Sequence, residues 1–355
     1  MQLTRTTQTR TTVPEGSFQG DEPLVAVLRG NHPGSLHRGI VAVVGASGDT
    51  VLAIGNEDQR VFLRSAAKPF QVMPAVLSGA IDRYGITGRE LAVMCASHNG
   101  EPRHVEAVIS ILEKIGLDQS SLRCGMHAPL NQEAAAERWR EHLEPSSACN
   151  NCSGAHAGML VACRAMGWPL EQYGNPNHPL QRQTRQILAS FAGVNQTDIG
   201  IAVDNCAVPT FRLPLNRSAQ AFARLATGEG VTDELAGTAG RVVMAMTGNP
   251  EMVGGQDRFD TDLMSAARGT IVAKGGAEGY QGAGLASAAL GLAIKVTDGN
   301  SRAIPPVAMR VLEHVGAFDP PQADELWRYR EPEVRDLMGN VIGSLKPAFE
   351  FEVAP

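Results

Sequence analysis

Serine and lysine stand three residues apart in the run Arg64, Ser65, Ala66, Ala67, Lys68, Pro69. On a helix that spacing puts hydroxyl and amine on one face, within hydrogen-bond reach. Proline disfavours helix in the residue before it and donates no interior hydrogen bond, so Pro69 belongs to a first turn that begins at about Ser65. A serine there lies beside unpaired backbone N–H groups and the positive end of the helix dipole, which can hold an oxyanion and lower the pKa of a nearby lysine. As a free amine, Lys68 could then take the serine's proton. Alone, Ser-x-x-Lys is common and usually means a capping serine and a solvated lysine. Here it is followed by Ser97, His98, Asn99 and, much later, by Lys274, Gly275, Gly276.

A second cluster is built on sulfur. Cys149 and Cys152 frame a Cys-x-x-Cys, and Asp204, Asn205, Cys206 follow about fifty residues on. Such spacing suits a redox dithiol or half of a zinc site, with Cys206 as a further thiolate. The plainer alternative is three small buried hydrophobes. The glycine-rich run from Gly275 to Gly284 lacks the spacing of a P-loop or dinucleotide fingerprint and reads as close backbone packing around Lys274.

These residues need a scaffold. Short apolar bursts at Leu24 to Leu28, Gly39 to Val44 and Val51 to Ile54, with a turn at residues 45–49, predict antiparallel strands. Val105, Val108, Ile109, Leu112 and Ile115 recur at the spacing of one helix face, ending at Gly116. Further helices are expected over 180–191, over 233–246 from a cap at Thr232 or Asp233, and over 305–314 with Pro305 in the first turn. Ile199 to Val203 reads as a buried strand, Gly291 to Thr297 as another, and a closing strand is expected between Met338 and Val353. The expected fold is α+β: one antiparallel sheet made from both ends of the chain, packed against a helical region.

The 355 residues carry 31 basic and 37 acidic side chains, a net charge of −6, with 43% hydrophobic residues and 38 glycines. That composition excludes a disulfide-stapled module and a disordered chain. No basic stripe or RNA-recognition signature points to nucleic acid. Neither a run of about 18 apolar residues nor a signal peptide is present, so no membrane association and a cytoplasmic location are expected. Six cysteines without an export signal are expected as thiols. Residues 1–20, with their repeated Arg-Thr-Thr, read as a disordered extension, and 21–355 as a single catalytic domain.

Ser-x-x-Lys, Ser-x-Asn and Lys-x-Gly in this order resemble the penicillin-recognising serine enzymes and their glutaminase relatives. The blocks RSAAKP (64–69), MCASHNGE (94–101), RCG (123–125), NCSGAHAGML (150–160), DNCAVP (204–209) and PEMV (250–253) together resemble the asparaginase II family, the rhizobial-type L-asparaginases. The resemblance implies a fold like the serine β-lactamases and glutaminases, a homodimer, and hydrolysis of L-asparagine to L-aspartate and ammonia. It makes Ser65 and Lys68 one catalytic pair and Ser97 and Lys274 another. It also implies zinc held by two cysteines and a lysine. Cys152 and Cys206 fall on the cysteine positions, but Ala155 stands where the family has lysine. With at most two protein thiolates, zinc is expected to bind weakly or not at all.

An amino-acid substrate needs a cation for its α-carboxylate and an anion for its α-ammonium. Arg64 and Asp204 have those charges, and His156 is a further candidate for substrate binding. Two rivals remain at this point: a β-lactam-recognising or peptidase-type serine acyl transferase, and a thiol or metal module built on Cys149 and Cys152.

Overall fold

The computed structural model describes residues 18–351. The expected N-terminal extension therefore lies almost wholly outside the described residues. Strands β1 (Glu22–Arg29), β2 (His32–Gly45) and β3 (Thr50–Ile54) open the chain, and β7 (Ile271–Gly276), β8 (Tyr280–Leu285), β9 (Leu290–Val296), β10 (Glu333–Arg335) and β11 (Val341–Pro347) come from its last third. They form one eight-stranded antiparallel sheet in the order β10-β11-β1-β2-β9-β8-β7, with β3 on β2. Sequence alternation places the first three strands and β9 correctly. The turn at 45–49 closes through Gly48, whose φ of +102° an L side chain rarely adopts.

The strands β7 and β8 were not legible as strands, because their glycines hide the pattern. The glycines of β8, and Gly291 on β9, answer to a helix, whereas Gly276 on β7 lies against the Leu63 carbonyl. The helix Leu215–Thr227 packs across β8, β9 and β2. A Cβ on Gly291 would lie 1.9 Å from the Ala219 carbonyl oxygen, and one on Gly284 2.2 Å from that of Phe222. Only bare backbone lets helix and sheet approach so closely.

The main sheet is the one expected from both ends of the chain, and a second sheet, which the strand pattern did not separate, lies beside it. It has three strands in the order β4-β6-β5, with β4 at Arg60–Phe62, β5 at Gly200–Val203 and β6 at Pro209–Pro214. β5 is its half-exposed edge rather than a buried strand, with Val203 exposed. β-Branched, apolar residues suit a strand whether one face or two are covered, so the pattern at 199–203 could not tell edge from centre.

Between the two halves lie the helices that matter for the site: α1 (Lys68–Gln71), α2 (Gly88–Met94), α3 (Pro102–Lys114), α4 (Ser153–Met166), α5 (Pro179–Ala192), α6 (Leu215–Thr227), α7 (Asp233–Gly248), α8 (Phe259–Ala267) and α9 (Ile304–His314). The Thr232 side chain caps α7 as expected, accepting from the Leu235 N–H. α4 is apolar all round and buried from Ser153 to Cys163, as befits a central helix. It crosses α2 closely: a Cβ on Gly154 would sit 2.0 Å from the Val93 carbonyl oxygen. One continuous core joins the sheet to this helical layer. Among the described residues no helix is long and apolar enough to cross a membrane.

Replacing Gly291 by Ala should lower stability by about 1–3 kcal/mol, since the methyl group must push α6 off the sheet. Gly237→Ala, on the exposed face of α7 with open space around it, should instead stabilise by about 0.5–1 kcal/mol. Urea midpoints of the two variants check the contrast, and equal midpoints would contradict it.

Candidate active site

Ser65 lies in a 3₁₀ turn, Arg64–Ala67, that runs into α1. The turn opens with Arg64 at φ +52°, a left-handed conformation costing about 1–2 kcal/mol for a residue with a side chain. The Arg64 side chain holds it there. Nε and Nη2 donate to the two Asp204 carboxylate oxygens, both at 2.8 Å, Nη2 donates to Asn205 Oδ1 at 3.2 Å, and Nη1 lies 2.8 Å from Glu278 Oε1. Hydrogen bonding to Asp204 raises the Arg64 pKa despite burial. Burial pushes the Asp204 carboxyl up, but the bonds and charge of Arg64 outweigh it and bring it below its ordinary value. The two candidates for substrate binding are thus partners of one another.

Lys68 is only 3% exposed. Its Nζ donates to the Ala96 carbonyl at 2.6 Å, to Ser97 Oγ at 3.0 Å and to Cys152 Sγ at 3.2 Å. These acceptors match the three N–H bonds of an ammonium group. The hydrogen bond expected between Ser65 and Lys68 is not made, because Ala96, Ser97 and Cys152 already occupy every donor. The segment carrying Ser97 is pinned on both flanks: the Ser97 N–H donates to the Val253 carbonyl and the Asn99 N–H to that of Gly254, both at 3.0 Å. His98, fully buried, accepts from the Gly100 N–H at Nδ1, so its Nε2–H donates to Ser153 Oγ at 2.9 Å. Burial first, then neighbouring positive charge, pushes its pKa well down, and it stays neutral.

Lys274, on β7, is 1% exposed. Its Nζ donates to the Gly275 carbonyl at 2.8 Å and stands 3.7 Å from Asp260. Burial lowers its pKa to about 8; Asp260 opposes the shift, while Lys68 and Arg258 add to it. Asp260, at the start of α8, accepts from the Gly275 N–H at 2.7 Å and from Gln281 Nε2 at 2.9 Å.

Cys152 and Cys206 are close enough to shift one another's titration. The neighbouring Cys206, together with Lys68, pulls the Cys152 pKa far down against the cost of its burial, while Cys206 is pushed up. All six cysteines are free and buried, as thiols without an export signal were expected to be. Cys149 sits apart, its sulfur 3.3 Å from Ser146 Oγ. His156, one turn into α4, is fully buried. Tyr173 accepts from the Arg123 N–H and donates to His156 Nδ1 at 2.6 Å. His156 Nε2 has no hydrogen-bond partner of normal geometry, though the Cys206 backbone is near. Burial, then Lys68, lowers the His156 pKa to about 3.

The residues present do not make up a zinc site. The described residues contain no cluster of three or more His, Cys, Asp or Glu able to hold a metal ion. Cys152 and Cys206 are two sulfurs, below the three or four ligands zinc takes, and Ala155 offers no donor atom.

Ser65 and Ser97 line one cavity of about 310 Å³, together with Asn151, Arg258, Asp260 and Gln281. A larger recess of about 600 Å³ between α9 and the C-terminal strand is lined by none of the candidate residues. The Ser65–Ser97 cavity can therefore support acyl transfer: two serines line it, a buried lysine is bonded to the hydroxyl of one of them, and burial lowers the pKa of a second lysine to about 8. Arg258, Asp260 and Gln281 escaped the sequence reading. They belong to no recognisable motif, and only the folding of α8 against β7 and β8 brings them in.

The L-asparaginase II family profile matches residues 25–347, and the chain belongs to that family. Comparison with curated protein sequences gives no match. Among solved structures, the crystal structure of Mglu in its native form matches with 16% identity over 80% of this chain and 66% of that one, at a TM-score of 0.46. Mglu in 4.3 M NaCl matches with 17% identity over 80% and 62%, at 0.44. A beta-lactamase from Mycobacterium bovis matches with 13% identity over 78% and 94%, at 0.42. The chain thus spans less than two thirds of the length of these Mglu chains.

Thiolate absorbance should show one thiolate per chain already present at pH 7, titrating below pH 7. It should move upward in Lys68→Met and in Cys206→Ala. A titration unchanged in both variants would contradict the assignment. For Lys274 the lowered pKa is read through stability. Its folded pKa of about 8 lies below the unfolded 10.5, so between these values the unfolded chain binds more protons and stability rises with pH. Relative to Lys274→Met, the unchanged chain should gain stability from pH 8 to 10.5, as read from melting temperatures.

Proposed function

We propose that the chain is an amidohydrolase that converts L-asparagine to L-aspartate and ammonia by acyl transfer through its serines and lysines. The observation that carries this reading is the 3.0 Å bond from the buried Lys68 amine to Ser97 Oγ, on the wall of a cavity shared with Ser65. Family membership supports the choice of amide as the bond to be broken.

In this reading Ser65 Oγ attacks the side-chain carboxamide carbon. Lys68 first gives one proton to the Cys152 sulfur it faces, and the free amine so formed takes the Ser65 proton through the Ser97 hydroxyl bonded to it. The oxyanion faces the backbone N–H groups at the start of the Arg64–Ala67 turn, which have no partner inside the turn. Collapse breaks the C–N bond, and Ser97 returns the proton to the leaving ammonia. Water, activated by the same amine, then splits the ester and frees L-aspartate and the Ser65 hydroxyl. Lys274 as a neutral amine keeps a second positive charge away from Lys68. A homodimer, which the resemblance implies, and a cytoplasmic location, expected from the sequence pattern, complete the reading.

One observation favours a second reading. The Ser97 hydroxyl is the one bonded to a lysine, whereas that of Ser65 makes no hydrogen bond among the described residues. Ser97 would then be acylated and Ser65 would serve the proton.

Ser65→Ala should lower ammonia release from L-asparagine by at least about 10³-fold. Intact-mass analysis of acid-quenched enzyme should find the aspartyl adduct on Ser65. An adduct on Ser97 selects the second reading, and no activity on L-asparagine with hydrolysis of a chromogenic β-lactam would overturn both. With Lys274 needed as free amine, kcat/KM should rise about tenfold per pH unit below its pKa of about 8 and level off above it. A profile flat from pH 6 to 9 would remove Lys274 from the mechanism.

A further inference from the structure

The cavity holds one cation that no carboxylate of the described residues pairs with. Arg258 lines it beside Ser65 and Ser97. Its Nη1 donates to Asn99 Oδ1 at 2.8 Å, and among the described residues it enters no ion pair. A guanidinium has five N–H donors, so most of its fork remains available. Asn99 fixes the direction of that fork. This nearly buried amide donates through Nδ2 to the Gln256 carbonyl at 3.0 Å, which turns its oxygen toward Arg258.

The other charged groups around the cavity are already engaged. Arg64 meets Asp204, Glu278 and Asn205. Lys68 has three acceptors, and Lys274 faces Asp260. Guanidinium and carboxylate pair through two parallel hydrogen bonds, a geometry that a lysine cannot reproduce.

We infer that Arg258, and not Arg64, is the residue that binds the substrate's α-carboxylate, so that the site selects free α-amino acids over amides lacking that group. The inference rests on the amidohydrolase reading above for the name of the substrate, but the anchor itself is testable without turnover. The neighbouring Asn99 is a positioning residue: it aims the fork and leaves it free.

The test combines binding with a substrate cycle. Calorimetric titration with L-aspartate should show binding to the unchanged chain and a loss of about 100-fold in Arg258→Met, the scale of truncating one partner of a desolvated charge pair. Arg258→Lys, which keeps the charge but not the fork, should fall between them. Melting temperatures establish that each variant is folded, and Arg258→Lys carries the test should Arg258→Met not fold. In turnover, 3-aminopropanamide is L-asparagine without its α-carboxylate. Deleting the carboxylate and deleting the guanidinium should not add: each should cost about 100-fold in kcat/KM, chiefly through KM, and both together little more than one. Equal proportional losses on both substrates, or L-aspartate affinity unchanged in Arg258→Met, would overturn the assignment. If the unchanged chain binds L-aspartate through Arg258 yet releases no ammonia from L-asparagine, the anchor stands and the asparagine reading fails.

Discussion

A buried amine tolerates no missing acceptor, since each polar group left unpaired in the interior costs about 1–3 kcal/mol, and more when charged. Lys68 meets that demand from three directions: a carbonyl at Ala96, a hydroxyl at Ser97 and a sulfur at Cys152. Its bonds therefore fix the separations between α1, the segment after α2 and the start of α4. Much of the surrounding packing serves those distances. Gly154 and Gly158 let α4 lie against Val93 and Met94, and the 97–99 segment is laced to Val253 and Gly254. A larger residue at Gly154 would move Cys152 and Ser97 apart and strand the lysine.

The second sheet does the same for the turn that carries Ser65. The Leu63 N–H donates to the Phe211 carbonyl on β6, and the Asp204 N–H to that of Val208, just before β6. Arg64 is thereby set opposite Asp204 across the end of the small sheet, and their bidentate bond offsets the strain of its left-handed backbone. The sheet that seems an appendage to the main one is what presents the serine.

Local chemistry was legible in the sequence where it is decided locally. Proline at 69, the cap at Thr232, the apolar face of α3 and the alternation in β1 to β3 each bear on neighbours within a few residues. What was not legible depends on residues far apart in the chain. β8 hid behind glycines that make room for α6, more than fifty residues upstream, and β7 behind Gly276, which lies against the Leu63 carbonyl. The three-residue spacing of Ser65 and Lys68 suggested a bond that Ala96, Ser97 and Cys152 take instead. Arg64 and Asp204 carried the charges an amino acid needs, but charge says nothing of whether a partner of the protein's own has been supplied. Here each supplies the other. The guanidinium left unpaired, Arg258, stands in no motif.

The sulfur pair follows the same logic. A lysine ammonium in an apolar interior needs an anion or must give up its proton. A carboxylate would be the usual choice, but it brings two oxygens that both require donors once buried. A thiolate is a single soft acceptor, and the nearness of Cys206, with Lys68, lowers the Cys152 pKa and so favours it. Two cysteines with no third ligand are thus sufficient for charge balance and insufficient for zinc. On that account the absence of a donor at Ala155 does not leave the sulfurs idle: the positive charge facing Cys152 is Lys68 itself, 3.2 Å away.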